Sequence, residues 1–560
     1  MGSEAKDQRM VAPHIVTHEN KPLPVDPDWW RGAVIYQIYP RSFQDSNGDG
    51  VGDLTGIIHR LPYVASLGVD AIWISPFFPS PMLDFGYDVM NYRDVDPMFG
   101  TLADFDALIE RAHALGLRVM IDLELSHTSD QHRWFRESRS SRDNPKANWY
   151  VWGEAKPDGT PPNNWLSIFG GSAWEWDSER LQYYMHNFLK EQPDLNFHHA
   201  EVQEELLTVV RFWLERGVDG FRLDTINFYF CDAGLRDNPV LPPELRDYST
   251  APAVNPYNWQ EHLYDKSRPE MIGFLRRFRA LLDEFGDIAA VGEVGDAQRG
   301  MEIMGEYTRG DDLMQMCYAF EFLSSEPPSG RRVAQVLRRF MTVASDGWAC
   351  WAFSNHDVER HATRWSLDAA QLRVYLALLT SLRGSVCLYQ GEELGLTEAY
   401  VPFEDLQDPY GKRFWPKFRG RDGCRTPMVW LADNANGGFA DARPWLPVPM
   451  EHLRMAVSEQ EADPESMLAF YRRMLTWRKL HPALAKGDFQ LLATSEGHIA
   501  YIRATSEETL FCAFNLGVEP VRIGLPDGEW LALEDSGFVG RIADATAELP
   551  PFQALFARRL

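Results

Sequence analysis

Residues 201–225 read EVQEELLTVVRFWLERGVDGFRLDT, a stretch in which an amphipathic helix, a glycine and an apolar strand follow one another with almost no loop between them. Val202, Leu206, Val209, Val210 and Trp213 recur at helical spacing and form one apolar face. Gly217 stands where a left-handed residue closes a helix, and the run after it is a strand ending in Arg222 and Asp224. The same punctuation recurs in Leu67-Gly68-Val69-Asp70, Leu115-Gly116-Leu117-Arg118 and Phe285-Gly286-Asp287-Ile288.

Working outward, the strands between these helices are continuous apolar runs, as a parallel sheet covered by helices requires because both strand faces are buried. Eight such runs occur, at Val34–Pro40, Ala71–Pro76, Arg118–His127, Gly220–Thr225, Ala289–Val294, Met316–Phe322, Trp348–Asp357 and Ser385–Glu393. Eight strand-helix units predict an α/β protein with a closed (β/α)₈ TIM barrel. A further helix is predicted from Thr101, an N-cap with Asp104 three residues on, burying Leu102, Phe105, Leu108, Ile109, Ala112 and Leu115.

Two segments break the rhythm. Residues 128–200, rich in Asn, Pro, Gly and Trp, are too long for a plain loop and are assigned to an inserted subdomain after the third strand. Beyond about Leu480, the alternating runs Ile499–Ala504, Leu510–Asn515 and Trp530–Leu533, separated by turns, predict a C-terminal antiparallel β-sandwich at 481–560. The barrel is then formed by residues 28–127 and 201–480, preceded by a flexible leader at 1–27.

With 55 basic against 81 acidic residues, the 560-residue chain carries a formal charge of −26, which repels nucleic acid and anionic lipid. Six dispersed cysteines with no C-x-x-C pair point away from zinc and from a disulfide framework. The leader has no apolar signal core and the chain no spanning apolar run, so a soluble cytoplasmic protein, monomer or homodimer, is expected.

In a barrel of this kind reacting groups project from the C-terminal ends of strands. Here those ends carry Asp122 and His127, Arg222 and Asp224, Glu293, and Asn355, His356 and Asp357. Carboxylates sharing one pocket repel one another, which separates their pKa values and keeps one protonated while another is ionised, the division of labour glycoside cleavage needs. Arg222, two residues from Asp224 on the same strand face, is expected to keep that carboxylate ionised; the apolar setting Val291-Gly292-Glu293-Val294 is expected to raise the pKa of Glu293.

Gly220-Phe221-Arg222-Leu223-Asp224, Val291-Gly292-Glu293, Phe353-Ser354-Asn355-His356-Asp357 and the Asp122-to-His127 segment together resemble the four conserved regions of the α-amylase family of glycoside hydrolases. Gln192-Pro193-Asp194-Leu195-Asn196 resembles the motif of its oligo-1,6-glucosidase-like branch, and the resemblance runs in order from Trp30 to about Trp477. It implies Asp224 as nucleophile, Glu293 as acid/base, Asp357 as a third carboxylate that grips sugar hydroxyls, and retention of configuration. It further implies a sugar subsite lined by Asp84, Tyr87, His127, Phe169, Arg222, His356 and Arg421, with Gln192 and Phe188 as further pocket positions. Asp84 and Arg421 would close the pocket behind the non-reducing end, making the enzyme exo-acting.

In this branch a valine after the nucleophile accompanies α-1,6 cleavage and a smaller or hydroxylated residue α-1,4; here it is Thr225, which implies maltose-like donors. The long segment from Cys231 to Pro269, stiffened by Pro239, Pro242, Pro243, Pro252 and Pro256, is expected to form a lid suited to short substrates. Asp45, Asn47, Asp49, the Val51 carbonyl and Asp53 offer oxygens at alternate positions and resemble the family's loop for a structural Ca²⁺ or Mg²⁺. One departure stands out: Glu124 occupies a position where the family usually has an apolar residue, so it must find a partner or shift its pKa upward.

The resemblance implies a retaining exo-α-glucosidase on short α-1,4-linked gluco-oligosaccharides, transferring glucose to hydroxyl acceptors. Its small-molecule partners would be an α-glucoside donor and such acceptors. The alternative is a dedicated α-glucosyltransferase or sucrose isomerase-type enzyme. A non-enzymatic relative of the transporter-associated kind would have a membrane span and lack the carboxylates, and neither holds here.

Overall fold

A computed structural model describes residues 23–560; of the expected leader, residues 1–22 lie outside the described residues. Eleven strands run through the first two thirds of the chain: β1 Val34–Ile38, β2 Ala71–Ile74, β3 Arg118–Leu123, β4 Trp152–Gly153, β5 Trp174–Asp177, β6 Gln182–Met185, β7 Gly220–Leu223, β8 Ala289–Val294, β9 Met316–Ala319, β10 Cys350–Trp351 and β11 Ser385–Tyr389. Eight of them form one parallel sheet in the order β10-β11-β1-β2-β3-β7-β8-β9. A parallel bridge from Cys317 to Ala349 joins its first and last strands, so the sheet is a closed barrel.

All eight predicted strands are present in the predicted order, and most are shorter at their C-terminal ends than the apolar runs suggested. The third ends at Leu123 instead of His127, and the seventh consists of Cys350–Trp351 alone. The physical reason is local: Pro40 and Pro76 have no N–H to donate to the ladder, and residues such as Phe320–Phe322 turn into 3₁₀ helix. Gly68, Gly116, Gly217 and Gly286 all have positive φ, between +78° and +89°, which an L side chain would resist. The helix at Leu102–Ala114 starts with the expected capping box: the Asp104 N–H donates to Thr101 Oγ1, and Asp104 Oδ2 accepts from the Thr101 N–H at 2.8 Å.

The barrel interior is packed with large side chains, among them Trp30, Ile35, Trp73, Met120, Val291, Met316, Tyr318 and Trp348. A separate and larger apolar layer lies between the strands and the surrounding helices. Within residues 128–200, β4, β6 and β5 form a small antiparallel sheet. The C-terminal region folds as two antiparallel sheets, one of five and one of three strands. Buried Arg503 fastens it to the barrel, its guanidinium donating to the carbonyls of Ser381, Leu382, Leu484 and Gly487 at 2.6 to 2.9 Å.

Strand register does the first work of building the site. Asp122 on β3 pairs with Arg222 on β7, and Glu293 on β8 pairs with Tyr318 on β9, so acid and base side chains from four neighbouring strands meet in one layer.

Candidate active site

Arg222 is fully buried at the centre of that layer. Its Nη1 donates to Asp122 Oδ1 and to Asp224 Oδ1, each at 2.7 Å, while Nη2 donates to Glu293 Oε2 and to the Tyr318 hydroxyl. A single guanidinium is therefore shared by three carboxylates that arrive from three strands. Its charge offsets the repulsion that would otherwise keep them apart.

Thr225 links the same two acids. Its Oγ1 donates to Asp224 Oδ2 at 3.0 Å and its backbone N–H to Glu293 Oε2 at 3.3 Å. The aim of that N–H is set by a left-handed backbone, φ +40° and ψ +50°, a conformation a β-branched residue adopts only where its surroundings enforce it.

The Glu293 carboxyl is pushed up to about 8, first by burial and then by Asp224 and Asp357, with Arg222 opposing. The expected upward shift is present, but the setting is a polar cluster and not the apolar one the flanking valines suggested. Asp122 is raised to about 7, again chiefly by burial. Asp357 moves the other way: burial works to raise it, and the charges of Arg421 and Arg425 outweigh burial and hold it well below the usual carboxylate range. Arg425 Nη2 donates to Asp357 Oδ1 at 2.8 Å and Arg421 Nη1 to the same oxygen at 3.3 Å.

One wall is a hydrogen-bond chain whose direction follows from its ends. Gln37 Nε2 can only donate, so His356 Nδ1 accepts at 2.8 Å and Nε2 carries the proton toward the Tyr87 hydroxyl. Tyr87 then donates to Asp122 Oδ2 at 3.0 Å. The Tyr87 carbonyl accepts from His127 Nε2 at 2.8 Å. Burial lowers the pKa of both histidines, so both are neutral near pH 7.

The floor is an ion-pair knot. Arg421 Nη2 donates to Asp84 Oδ1 at 2.7 Å and to Asp408 Oδ1 at 2.9 Å, and Gln192 Nε2 donates to the other oxygen of Asp84 at 3.1 Å. Phe169 lies under the Arg421 guanidinium at 5.1 Å, and Phe188 packs between His127 and Phe169 at 5.2 and 5.9 Å. All thirteen residues expected in the catalytic and sugar-binding set are thus brought together. Four participants were missed: Gln37, whose strand gave no hint of a site role, Tyr318, Arg425 and Asp408. Tyr318 had a signal in lying on the predicted strand Met316–Phe322, and Arg425 in standing four residues after Arg421; Asp408 reads as a helix N-cap before Pro409, not as a partner of Arg421.

Glu124 has found no partner. It is fully buried, neither carboxyl oxygen has a hydrogen bond, and burial raises its pKa well above normal, with Asp122 and Asp224 adding to the effect.

The Asp45–Asp53 loop stands outside the pocket. Asp45 accepts from the N–H groups of Asn47, Gly48 and Gly50, and Asp53 caps the helix at Leu54–Ser66 through the Gly56 N–H. Among the described residues no cluster of three or more acidic, histidine or cysteine side chains stands ready to hold a metal ion. The loop's donor set is nonetheless entirely hard oxygen, the chemistry Ca²⁺ or Mg²⁺ takes. No helix among the described residues is long and apolar enough to cross a membrane.

Residues 37–487 match the family described as Alpha amylase, catalytic domain. The chain is 64% identical over 540 residues to a probable alpha-glucosidase of Rhizobium meliloti (strain 1021), covering 96% of this chain and 98% of that protein. It is 36% identical over 553 residues to the oligo-1,6-glucosidase of Heyndrickxia coagulans, covering 91% and 97%. Its fold superimposes on the alpha-glucosyl transfer enzyme XgtA with a TM-score of 0.92 at 53% identity, covering 95% of this chain and 99% of that one. It also superimposes on the trehalulose synthase MutB from Pseudomonas mesoacidophila MX-45, with a TM-score of 0.84 at 32% identity over 95% and 99%. The family match, the barrel and these likenesses agree: the chain belongs to the alpha-amylase family, as a glycoside hydrolase of its α-glucosidase and oligo-1,6-glucosidase group.

Proposed function

We propose that this protein is a retaining, exo-acting α-glucosidase for short α-1,4-linked gluco-oligosaccharides such as maltose, and that it transfers the glucosyl group to hydroxyl acceptors through a covalent intermediate. The observation that carries the reading is the sharing of one guanidinium: Asp224 and Glu293 accept from adjacent nitrogens of Arg222. A retaining pair stands about 5–5.5 Å apart and an inverting pair about 6.5–9.5 Å, with room for a water; two carboxyls held by one guanidinium support the closer arrangement.

Asp224 attacks the anomeric carbon while Glu293, protonated near neutrality, donates its proton to the departing glycosidic oxygen. The carboxylate of Glu293 then takes a proton from water or from an acceptor hydroxyl as that oxygen displaces Asp224 and restores the α configuration. Asp357, kept ionised by two arginines, grips hydroxyls of the distorted ring. The Arg421–Asp84 pair supports exo action because it fills the end of the pocket.

Incubation with maltose and a small alcohol tests this. Free glucose and alkyl α-glucoside are both expected, with α configuration at first release by NMR, and Asp224→Asn is expected to abolish both. A second reading, a dedicated transferase or isomerase, is favoured by the likeness to XgtA and MutB; products consisting almost wholly of glucoside or rearranged disaccharide would select it. We further propose that the Asp45–Asp53 loop holds a structural Ca²⁺ or Mg²⁺. Chelation should then lower Tm, restored by either ion in the parent and not in Asp49→Ala.

A further inference from the structure

The segment between Cys231 and Pro269, read from its sequence as a lid, is fastened in two places. Its outer part rests on residues 128–200: Asn255 Nδ2 donates to the Ile168 carbonyl at 2.6 Å and Gln260 Nε2 to the Asn164 carbonyl at 2.7 Å. The arm that returns to the barrel is fastened differently.

Lys266, on that arm, is 2% exposed. Its ammonium donates to the Gly295 carbonyl at 2.7 Å, the rings of Phe228 and Tyr257 lie at 4.9 and 5.4 Å, and the carboxylates of Asp296 and Asp265 supply negative charge nearby. Burying a lysine is costly, and here the carbonyl, the two rings and the two carboxylates offset that cost by holding the ammonium at the Gly295 peptide. Ser267, held at φ +55°, donates through Oγ to Asp296 Oδ2 at 3.1 Å and through its N–H to the Asn227 carbonyl. Asn227 closes the ring. Its Nδ2 donates to Ser267 Oγ at 3.0 Å and to the Gly295 carbonyl at 3.2 Å, and its Oδ1 accepts from the Gly295 N–H at 2.9 Å.

Gly295 lies two residues past Glu293, and Asn227 three residues past Asp224. Both polar groups of the Gly295 peptide position are therefore held by side chains from the nucleophile loop and from the lid.

We propose that Lys266 and Ser267 are positioning residues for Glu293. The returning arm of the lid clamps the loop that carries the acid/base carboxyl and, through Asn227, fixes its spacing from the loop that carries Asp224. The lid is then part of the catalytic frame. This rests on the assignment of Glu293 and Asp224 made above.

The test compares two donors in the full-length protein: maltose, whose leaving group needs a proton, and nitrophenyl α-glucoside, whose leaving group does not. Lys266→Met and Ser267→Ala are each expected to lose about 10- to 100-fold in kcat/KM on maltose and less than about threefold on the activated donor. Lys266→Gln, which keeps one donor for the Gly295 carbonyl, should recover most of the loss. Equal losses on both donors, or no loss on either, would overturn the clamp. If Lys266→Met does not fold, Ser267→Ala decides by the same criterion. Glu293→Gln is assayed in parallel. Selective loss on maltose there with none in the clamp variants defeats this inference alone, whereas its absence in Glu293→Gln defeats the acid assignment on which both depend.

Discussion

Arg421 and Asp84, separated by 337 positions in the chain, are joined by a 2.7 Å hydrogen-bonded ion pair that Gln192 and Asp408 extend. Both side chains are nearly free of solvent, and Arg421 also serves Asp408 and Asp357. Arg421→Ala strands three buried or half-buried acids and is expected to cost roughly 3–5 kcal/mol in stability, read by thermal unfolding. Arg421→Lys keeps the charge and loses the planar fork that reaches three carboxylates. It is expected to fold and to lose about 10- to 100-fold in kcat/KM on maltose, mostly through KM. An unchanged KM would show that the pair does not shape the sugar-binding end.

The protonated state of Glu293 sets a second expectation. Its carboxyl is pushed up to about 8, so the acid form prevails at neutral pH and is lost as pH rises through that value. On maltose, kcat/KM should therefore fall along an alkaline limb near pH 8, while Glu293→Gln on an activated donor should show no such limb. A limb that persists in Glu293→Gln would assign it to another group.

The parts of this site that could be read from the chain are those where local pattern and function coincide. Arg222, Asp224, Glu293 and Asp357 close apolar runs, and a closed barrel gathers strand ends on one rim whatever the intervening sequence. Overlong strand predictions share that origin: a polar residue at the end of an apolar run is spelled the same whether it stays in the ladder or turns into the pocket. Asp408 shows the opposite case. It caps the helix at Pro409–Phe414 through the Tyr410 N–H, a role that Asp-Pro spells locally, but nothing local announces that it also meets Arg421. The clamp around Gly295 was equally hidden, because it depends on which backbone groups three separate loops bring within reach of Lys266.

Thr225 carries the third prediction. Its hydroxyl donates to Asp224 while its left-handed backbone aims its N–H at Glu293. Thr225→Val keeps the shape and the β-branch, so the backbone strain is unchanged and only the hydroxyl is lost. The ratio of kcat/KM for isomaltose over maltose is expected to rise about tenfold. A ratio that stays constant would remove this residue from linkage selection.

Glu124 gives the last and least intuitive expectation. A fully buried carboxyl with neither oxygen hydrogen-bonded is a liability of roughly 1–3 kcal/mol. Its pKa is raised well above normal, so the group is neutral in the folded chain and ionises near about 4.3 once unfolded. The sign follows: this group favours folding most below the unfolded value, and its contribution is lost progressively as pH rises, because only the unfolded chain gains from releasing the proton. Glu124→Leu should therefore raise Tm, and the gain should be larger at pH 7.5 than at pH 4.5. Glu124→Gln, which cannot ionise but keeps an unpartnered polar group, should remove the pH dependence and recover only part of the gain. The Tyr229 hydroxyl is also buried without a partner, and the field of Glu124 acts on it. Were a water molecule bridging the two, Glu124→Leu would strand that hydroxyl and lower Tm at both pH values, which would overturn the reading of Glu124 as a buried acid without a partner.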